Sequence, residues 1–259
     1  MLLEQITPLV LTFNEAANIK RTISRLFWAS QIIVVDSLST DETLELIKED
    51  SRIQVYLRNF DTHANQWNFG IQQVRTHWVL SLDADYWLSD QLIAELSELD
   101  PSNTVDGYYI HFRYCVMGKP LRGTLLPPRQ ALFRKDMSQY YDDGHTQLLQ
   151  VIGQSSYLRS PMFHDDRKPL SDWLRAQRRY MVLESVKLSN TSASQLNIGD
   201  KVRKTKILAP FAVLFYCLFF KGGLFDGWHG WYYAFQRMLA EVILSLHLIE
   251  KELKHDESI

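Results

Sequence analysis

Two aspartates separated by one alanine, Asp83 and Asp85, follow the apolar run Trp78-Val79-Leu80-Ser81-Leu82. An i, i+2 carboxylate pair at the end of a strand can set oxygens around one hard divalent cation. The cation's other positions are then left to water and phosphate oxygens. Held that way, it neutralises the charge that builds on a departing diphosphate. An Asp-x-Asp triplet standing alone is usually a turn or a helix cap. Here two other apolar runs also end in acids: Asn14-Glu15 follows residues 6–13, and Asp36, followed by Ser37, closes residues 31–36. Glu15, Asp36, Asp83 and Asp85 are therefore expected together at strand ends.

The elements that must position these acids alternate. Residues 6–13, 31–36, 53–57 and 78–83 read as short, β-rich strands. Asn14 is placed to cap a helix carrying Ile19, Ile23 and Leu26 on one face. Ser39-Thr40-Asp41-Glu42 reads as a capping box opening a second helix, with Leu44 and Ile47 buried. With Ser39 or Thr40 as the cap, Asp36 is left free to accept hydrogen bonds from a base or a ribose. Residues 64–74 predict a third helix. This alternation implies a mostly parallel sheet covered on both faces, with ligands beyond the carboxyl ends of its strands. After about residue 100 the pattern changes. Residues 107–116 read as an aromatic-rich strand, 118–130 as a Gly/Pro loop and 131–134 as a further strand. Helices are expected over 171–189, with Trp173, Ala176, Tyr180 and Leu183 on one face, and over 232–253.

The chain has 259 residues, 46% of them apolar and 22% charged, with a formal charge of −2. That suits a large folded core and disfavours a globally basic nucleic-acid binder, so no nucleic-acid partner is expected. Cys115 and Cys217 lie far apart with no metal-ligand spacing, which fits a reducing compartment. The first residues carry no basic n-region of a signal peptide, and a cytoplasmic location is the expectation.

With the residues placed, a resemblance emerges. The chain resembles glycosyltransferase family 2 in three linked segments: LVLTFNEAANI (9–19), VVDSLSTDET (34–43) and LSLDADYWL (80–88). The Val-Asp-Ser version is similar to the lipopolysaccharide-core glucosyltransferase branch. The resemblance implies a GT-A fold, an α/β Rossmann-like sheet flanked by helices. It also implies a nucleotide-sugar donor (a UDP-sugar favoured), Mg²⁺ or Mn²⁺, and inversion at the anomeric carbon. By position, Thr12, Asn14 and Glu15 would line the nucleotide pocket, and Asp36 with Ser37 would meet the base. Asp83 would contact ribose or the metal-bound diphosphate, and Asp85 would be the principal metal ligand. The implied organisation is a nucleotide-sugar-binding part over 1–100, an acceptor and catalytic part over 101–199, and a C-terminal helical segment over 200–259.

Inverting transfer needs a group that takes the acceptor hydroxyl proton. The related branch shows a Val-His-Glu-x-Leu segment near the acceptor. The nearest segment here is Asp142-Asp143-Gly144-His145-Thr146-Gln147-Leu148, in which Thr146 stands at the Glu position. The candidates for the base are therefore Asp143, then His145 and Asp142, against an ordinary polar loop. In the run His164-Asp165-Asp166-Arg167-Lys168, Arg167 and Lys168 are placed to face a diphosphate and His164 to contact metal or phosphate. Gln177-Arg178-Arg179-Tyr180 loosely resembles an acceptor-side helix motif of the family, and Arg129 and Arg134 are further cations. For each of these a solvated surface is the competing reading.

The longest uncharged apolar run, Ile207–Phe220, follows Lys201, Arg203, Lys204 and Lys206 and precedes Trp228, Trp231, Tyr232 and Tyr233. It is too short to span a bilayer. It suits a helix lying in one leaflet, with its cations on anionic headgroups, at the inner face of the cell membrane. A buried hairpin or a dimer interface is the alternative. The reading adopted from sequence is transfer of a sugar to a glycan or lipid-linked saccharide, in cell-envelope polysaccharide or lipopolysaccharide synthesis. A sugar nucleotidyltransferase would call for a Gly-rich phosphate loop, and the chain has no glycine before Gly70. A relative that lost its base and acts as a nucleotide-binding scaffold is the other competitor.

Overall fold

The computed structural model describes residues 2–100, 104–143, 146–192 and 194–256. They form two compact units. Unit 1 runs through Pro120 and from Leu126 to Lys168; unit 2 comprises Leu121–Leu125 and the residues from Pro169 onward.

Unit 1 opens with β1 (Ile6–Thr12), α1 (Ile19–Ser24), β2 (Ile32–Asp36), β3 (Ile53–Leu57), α2 (His63–Gln73) and β4 (Trp78–Asp83). It continues with β5 (Tyr86–Leu88), α3 (Asp90–Glu98), β6 (Val105–Ile110), β7 (Phe112–Val116), β8 (Lys119–Pro120) and β9 (Arg129–Arg134). It closes with β10 (Ser138–Asp143), β11 (Thr146–Val151), β12 (Gln154–Tyr157) and β13 (Met162–His164). The central sheet has seven strands in the order β12-β6-β9-β4-β1-β2-β3. β1 pairs in parallel with both β2 and β4, while β9 runs antiparallel between β4 and β6. The expected α/β, GT-A-type sheet flanked by helices is what the chain forms.

Period-2 alternation decides which side chains face which layer. Along β1, Ile6 and Val10 enter one core and Leu9 the other; along β2, Val34 opposes Ile33 and Val35 in the same way. Both faces are thus apolar and both are covered. The second layer packs closely: a Cβ on Gly70 of α2 would lie 2.6 Å from Cδ1 of Leu9.

Several sequence expectations are corrected. Residues 43–49 form a run of turns rather than the α-helix expected after the capping box, because Ser39 and Thr43 turn to other partners. Asn14 caps no helix: it sits at φ 53 and α1 starts only at Ile19. The single strand expected over 107–116 is broken at His111 into β6 and β7, which belong to different sheets. Of the segment 142–148 considered as a polar loop, Asp142 and Asp143 end β10 and Thr146–Leu148 open β11, with Asp142 paired to Gln147; residues 144 and 145 lie outside the described residues.

Unit 2 holds α4 (Leu170–Asn190), α5 (Ile198–Lys204), α6 (Leu208–Phe215), a π-helical turn (Tyr216–Phe220) and α7 (Trp228–Asp256). Met181 and Leu188 of α4 pack with Ala240, Leu244 and Leu248 of α7 around its core. No helix among the described residues is long and apolar enough to cross a membrane.

Candidate active site

Parallel pairing brings the acids together. Thr12 is in register with Asp36, and Leu11 with Asp83, so the carboxyl ends of β1, β2 and β4 lie side by side. The strand order reverses direction about β1, which is where an open α/β sheet forms its ligand crevice.

At the β1–β2 end, Asp36 is fully buried. It accepts from Thr12 Oγ1 (2.7 Å), Ser39 N (2.7 Å) and Ser39 Oγ (2.5 Å). The expectation that Asp36 stands free for a base is therefore not met. Its oxygens are spent shaping the loop, because Ser39 turns back onto it instead of capping a helix. The loop it ties presents other groups. Asn14 Oδ1 accepts from Thr40 N at 2.8 Å, its backbone N–H donates to Ser39 Oγ, and Ser37 Oγ accepts from Gln66.

Glu15 continues the loop. Its carboxylate accepts from Lys168 Nζ (2.5 Å) and Asn18 Nδ2 (2.9 Å). Burial, and next the nearby Asp85 charge, push the Glu15 carboxyl up to about 7 against the pull of Lys168. Asn18 also donates to Asp166 and accepts from Arg167 N, fastening the segment after β13 to the start of α1. Arg167 is committed to Asp165 at 2.9 Å, and Arg21 donates to the Asp165 carbonyl. Lys168 thus sits on Glu15 at the end of β1, while Arg167 serves the buried Asp165. Asn18, Arg21, Asp165 and Asp166 escaped the sequence reading; the dense run of charges at 164–168 was the available signal.

At the end of β4 the two aspartates part company. Asp83 Oδ2 accepts from Arg129 Nη1 at 2.8 Å. Burial would raise the Asp83 carboxyl, but Arg129 and the Tyr86 hydroxyl outweigh it and hold it below the usual carboxylate range. The Arg129 guanidinium lies over the Trp67 ring (5.2 Å) and near that of Tyr86 (5.9 Å). With its amide oxygen turned inward, Gln147 accepts from Arg129 Nη2 and Trp67 Nε1, each at 3.2 Å. Arg129, one surface candidate among several in the sequence, is therefore built into the site.

Asp85 Oδ2 lies 3.0 Å from His164 Nε2, while Asp85 Oδ1 and His164 Nδ1 are buried without a hydrogen-bond partner among the described residues. His164 is held by strand pairing to Tyr86 and Tyr114, whose rings lie 5.1 and 4.7 Å from its own. Burial opposes its charge, and Asp85 overrides that and raises the imidazole above its ordinary value. An orphaned buried carboxylate oxygen beside an imidazole suits a divalent cation in the chemistry of its donors, a hard oxygen and a borderline nitrogen. Among the described residues no group of three His, Cys, Asp or Glu is arranged as a cage. The candidate is accordingly an open site with Asp85 and His164, and with Asp83 held off by Arg129.

Of the three base candidates, Asp142 is exposed at the end of β10, with its carboxylate 3.4 Å from Ala64 N. Asp143 closes the same strand; its side chain, and His145, lie outside the described residues.

A family model described as glycosyl transferase family 2 matches residues 9–158, more than half of the chain. The chain belongs to glycosyltransferase family 2. Among family 2 relatives, an uncharacterized glycosyltransferase of Rickettsia bellii is 34% identical over 109 residues, covering 42% of this chain. This chain matches only 37% of that protein's length. The lipopolysaccharide core biosynthesis glycosyltransferase LpsC of Rhizobium meliloti is 23% identical over 231 residues, covering 85% of this chain and 82% of LpsC. Among solved structures, S. aureus TarS 1-349 in complex with UDP-GlcNAc aligns over 97% of this chain and 92% of TarS, with 16% identity and a TM-score of 0.49.

Proposed function

We propose that this family 2 protein transfers a sugar from a nucleotide-sugar donor, a UDP-sugar favoured, to a hydroxyl of a glycan or lipid-linked saccharide in cell-envelope synthesis, with inversion. The observation that carries this reading is the position of Asp83 and Asp85 at the lip of the parallel sheet, with Asp85 Oδ1 beside His164 and without a hydrogen-bond partner among the described residues. LpsC, similar over most of both chains, points the acceptor toward lipopolysaccharide core. Mg²⁺ or Mn²⁺ would be held by Asp85 and His164 and would supply charge neutralisation for the departing diphosphate.

The chain's own residues then divide the work. Asp83, fixed by Arg129, accepts from donor hydroxyls. Asn14 and the Ser37–Thr40 loop border the nucleotide. Lys168, held beside Glu15, brings positive charge toward the leaving group. The group proposed to take the acceptor proton is Asp143, the first of the three base candidates.

A panel of nucleotide sugars in a thermal-shift assay, with and without Mn²⁺, tests the donor assignment: a ligand that binds only the folded chain raises its melting temperature. Absence of any nucleotide-dependent shift would overturn it. Asp143→Asn should lose turnover while keeping the donor-induced shift, and unchanged turnover removes Asp143 from the mechanism. Slow Mn²⁺-dependent donor hydrolysis by the wild-type chain separates a transferase from a nucleotide-binding scaffold.

A further inference from the structure

The apolar run of unit 2 is not the simple helix its sequence suggests. α6 passes into the π-helical turn at Tyr216–Phe220, the chain reverses through Gly222 (φ 73) and Gly227 (φ 61), and α7 begins at Trp228. The reversal is tightly built: a Cβ on Gly230 would lie 1.9 Å from the carbonyl oxygen of Gly223. This close approach of two backbones fixes the turn. It turns aromatic side chains outward. Phe220 and Phe225 are each 73% exposed and Trp228 83%, with Phe211, Phe215 and Phe219 more than half exposed. Side chains of this size bury roughly 150–250 Å² each when covered. Half a dozen left largely open far exceed the few hundred Å² of apolar patch that a monomeric soluble surface carries.

Along the segment that forms this patch, basic side chains outnumber acidic ones. From Lys201 to Ala240 the sole acid is Asp226. It is buried, accepts from Arg122 N at 2.9 Å and lies 3.4 Å from Arg122 Nε. Lys221 stands beside the aromatics with its ammonium 5.4 Å from the Tyr216 ring centre, and Arg122 lies 5.7 Å from that of Phe225. Their aliphatic stems can lie along apolar surface while the cations reach headgroups.

The cations expected from sequence to meet lipid are partly committed elsewhere. Arg203 bonds Glu184 (2.9 Å) and Glu241 (3.0 Å), and Lys206 pairs with Glu252. The structure thus moves the contact from the basic cluster before α6 to the glycine-built turn after it.

We infer that the aromatic turn of unit 2, Phe219–Trp228 with Lys221 at its edge, is a docking surface for an anionic lipid bilayer. It inserts Phe220, Phe225 and Trp228 at the headgroup boundary and crosses no membrane. The inference goes beyond the transferase reading and stands whether or not a sugar is moved.

Co-sedimentation of the full chain with phosphatidylcholine vesicles, with and without phosphatidylglycerol, tests it. Binding is expected to be stronger on the phosphatidylglycerol vesicles. Phe225→Ser with Trp228→Ser should weaken binding about tenfold or more, since two large apolar side chains are lost. These side chains are open to solvent, so the melting temperature should hold, and donor-induced thermal shifts separate this test from the transferase reading. Lys221→Glu should weaken binding chiefly on phosphatidylglycerol. A wild-type chain that does not pellet with phosphatidylglycerol vesicles overturns the proposal. So does a Phe225/Trp228 variant that binds them unchanged. Aromatic variants that merely turn a dimer into a monomer, in a chain that never binds vesicles, would assign the patch to a second copy instead.

Discussion

Arg129 Nη1 lies 2.8 Å from Asp83 Oδ2, whereas the Asp85 carboxylate, two residues further on, meets His164 and keeps one buried oxygen without a hydrogen-bond partner among the described residues. The Asp-Ala-Asp sequence is therefore not a symmetric pair. One carboxylate is paired with a guanidinium, and the other with an imidazole that reaches only one of its two oxygens.

This asymmetry predicts different outcomes for two matched variants. Asp85→Asn should abolish the Mn²⁺-dependent rise in melting temperature of the wild-type chain. Asp83→Asn should keep most of it while weakening the nucleotide-dependent rise. Equal loss in both would mean that the cation is shared between the two aspartates.

Replacing Arg129 should cost more than a surface cation would. Arg129→Met leaves the Asp83 carboxylate with the Tyr86 hydroxyl but without its cation, and removes one of the two donors to Gln147. A partly exposed ion pair limits the stability loss to about 1–2 kcal/mol, read from urea midpoints. The donor KM should rise about tenfold as Asp83 loses its orientation. Arg129→Lys should recover part of it, since Lys restores the charge but not the second nitrogen that reaches Gln147.

Glu15 gives a pH dependence with a definite sign. Burial and Asp85 raise its folded-state value to about 7 from the ordinary 4.5. The native state therefore holds this proton more tightly than the unfolded chain does. The contribution to stability is complete below the unfolded value and is lost as pH rises through about 7. Glu15→Gln removes that slope. The wild type should lose at most about 2–3 kcal/mol relative to the variant between pH 5 and 8, measured by urea denaturation. A constant difference across that range would refute the assignment.

Asp36 is buried and ties Thr12 and Ser39 together, so its variants should fail by unfolding rather than by loss of affinity alone. Asp36→Ala strands the buried Thr12 hydroxyl and Ser39 N–H. It should lower stability by about 2–4 kcal/mol, the sum of two unsatisfied polar groups. Thr12→Val, which removes one donor of comparable shape, should cost about 1 kcal/mol.

How much of this was legible in the sequence follows from the range of each interaction. Strand periodicity is local, so β1, β2, β3 and β4 could be read within a residue or two, and with them the ends at which Glu15, Asp36, Asp83 and Asp85 gather. Family 2 membership was equally legible, because its motifs are short segments at strand ends. What Ser39 and Asn14 do could not be read. A residue competent to cap a helix is equally competent to bond a neighbouring loop, and only the third dimension brings Asp36 and Thr40 within reach. The same holds for Arg129, which is 46 residues from Asp83 along the chain and is delivered to it by the antiparallel strand β9. In unit 2 the sequence supplied the apolar run and its flanking charges. Tertiary packing decided which charges were consumed by Glu184, Glu241 and Glu252 and which aromatics were left facing water. Composition and periodicity are properties of neighbours in the chain. Pairing of charges and exposure of rings depend on residues that meet only after the chain has folded.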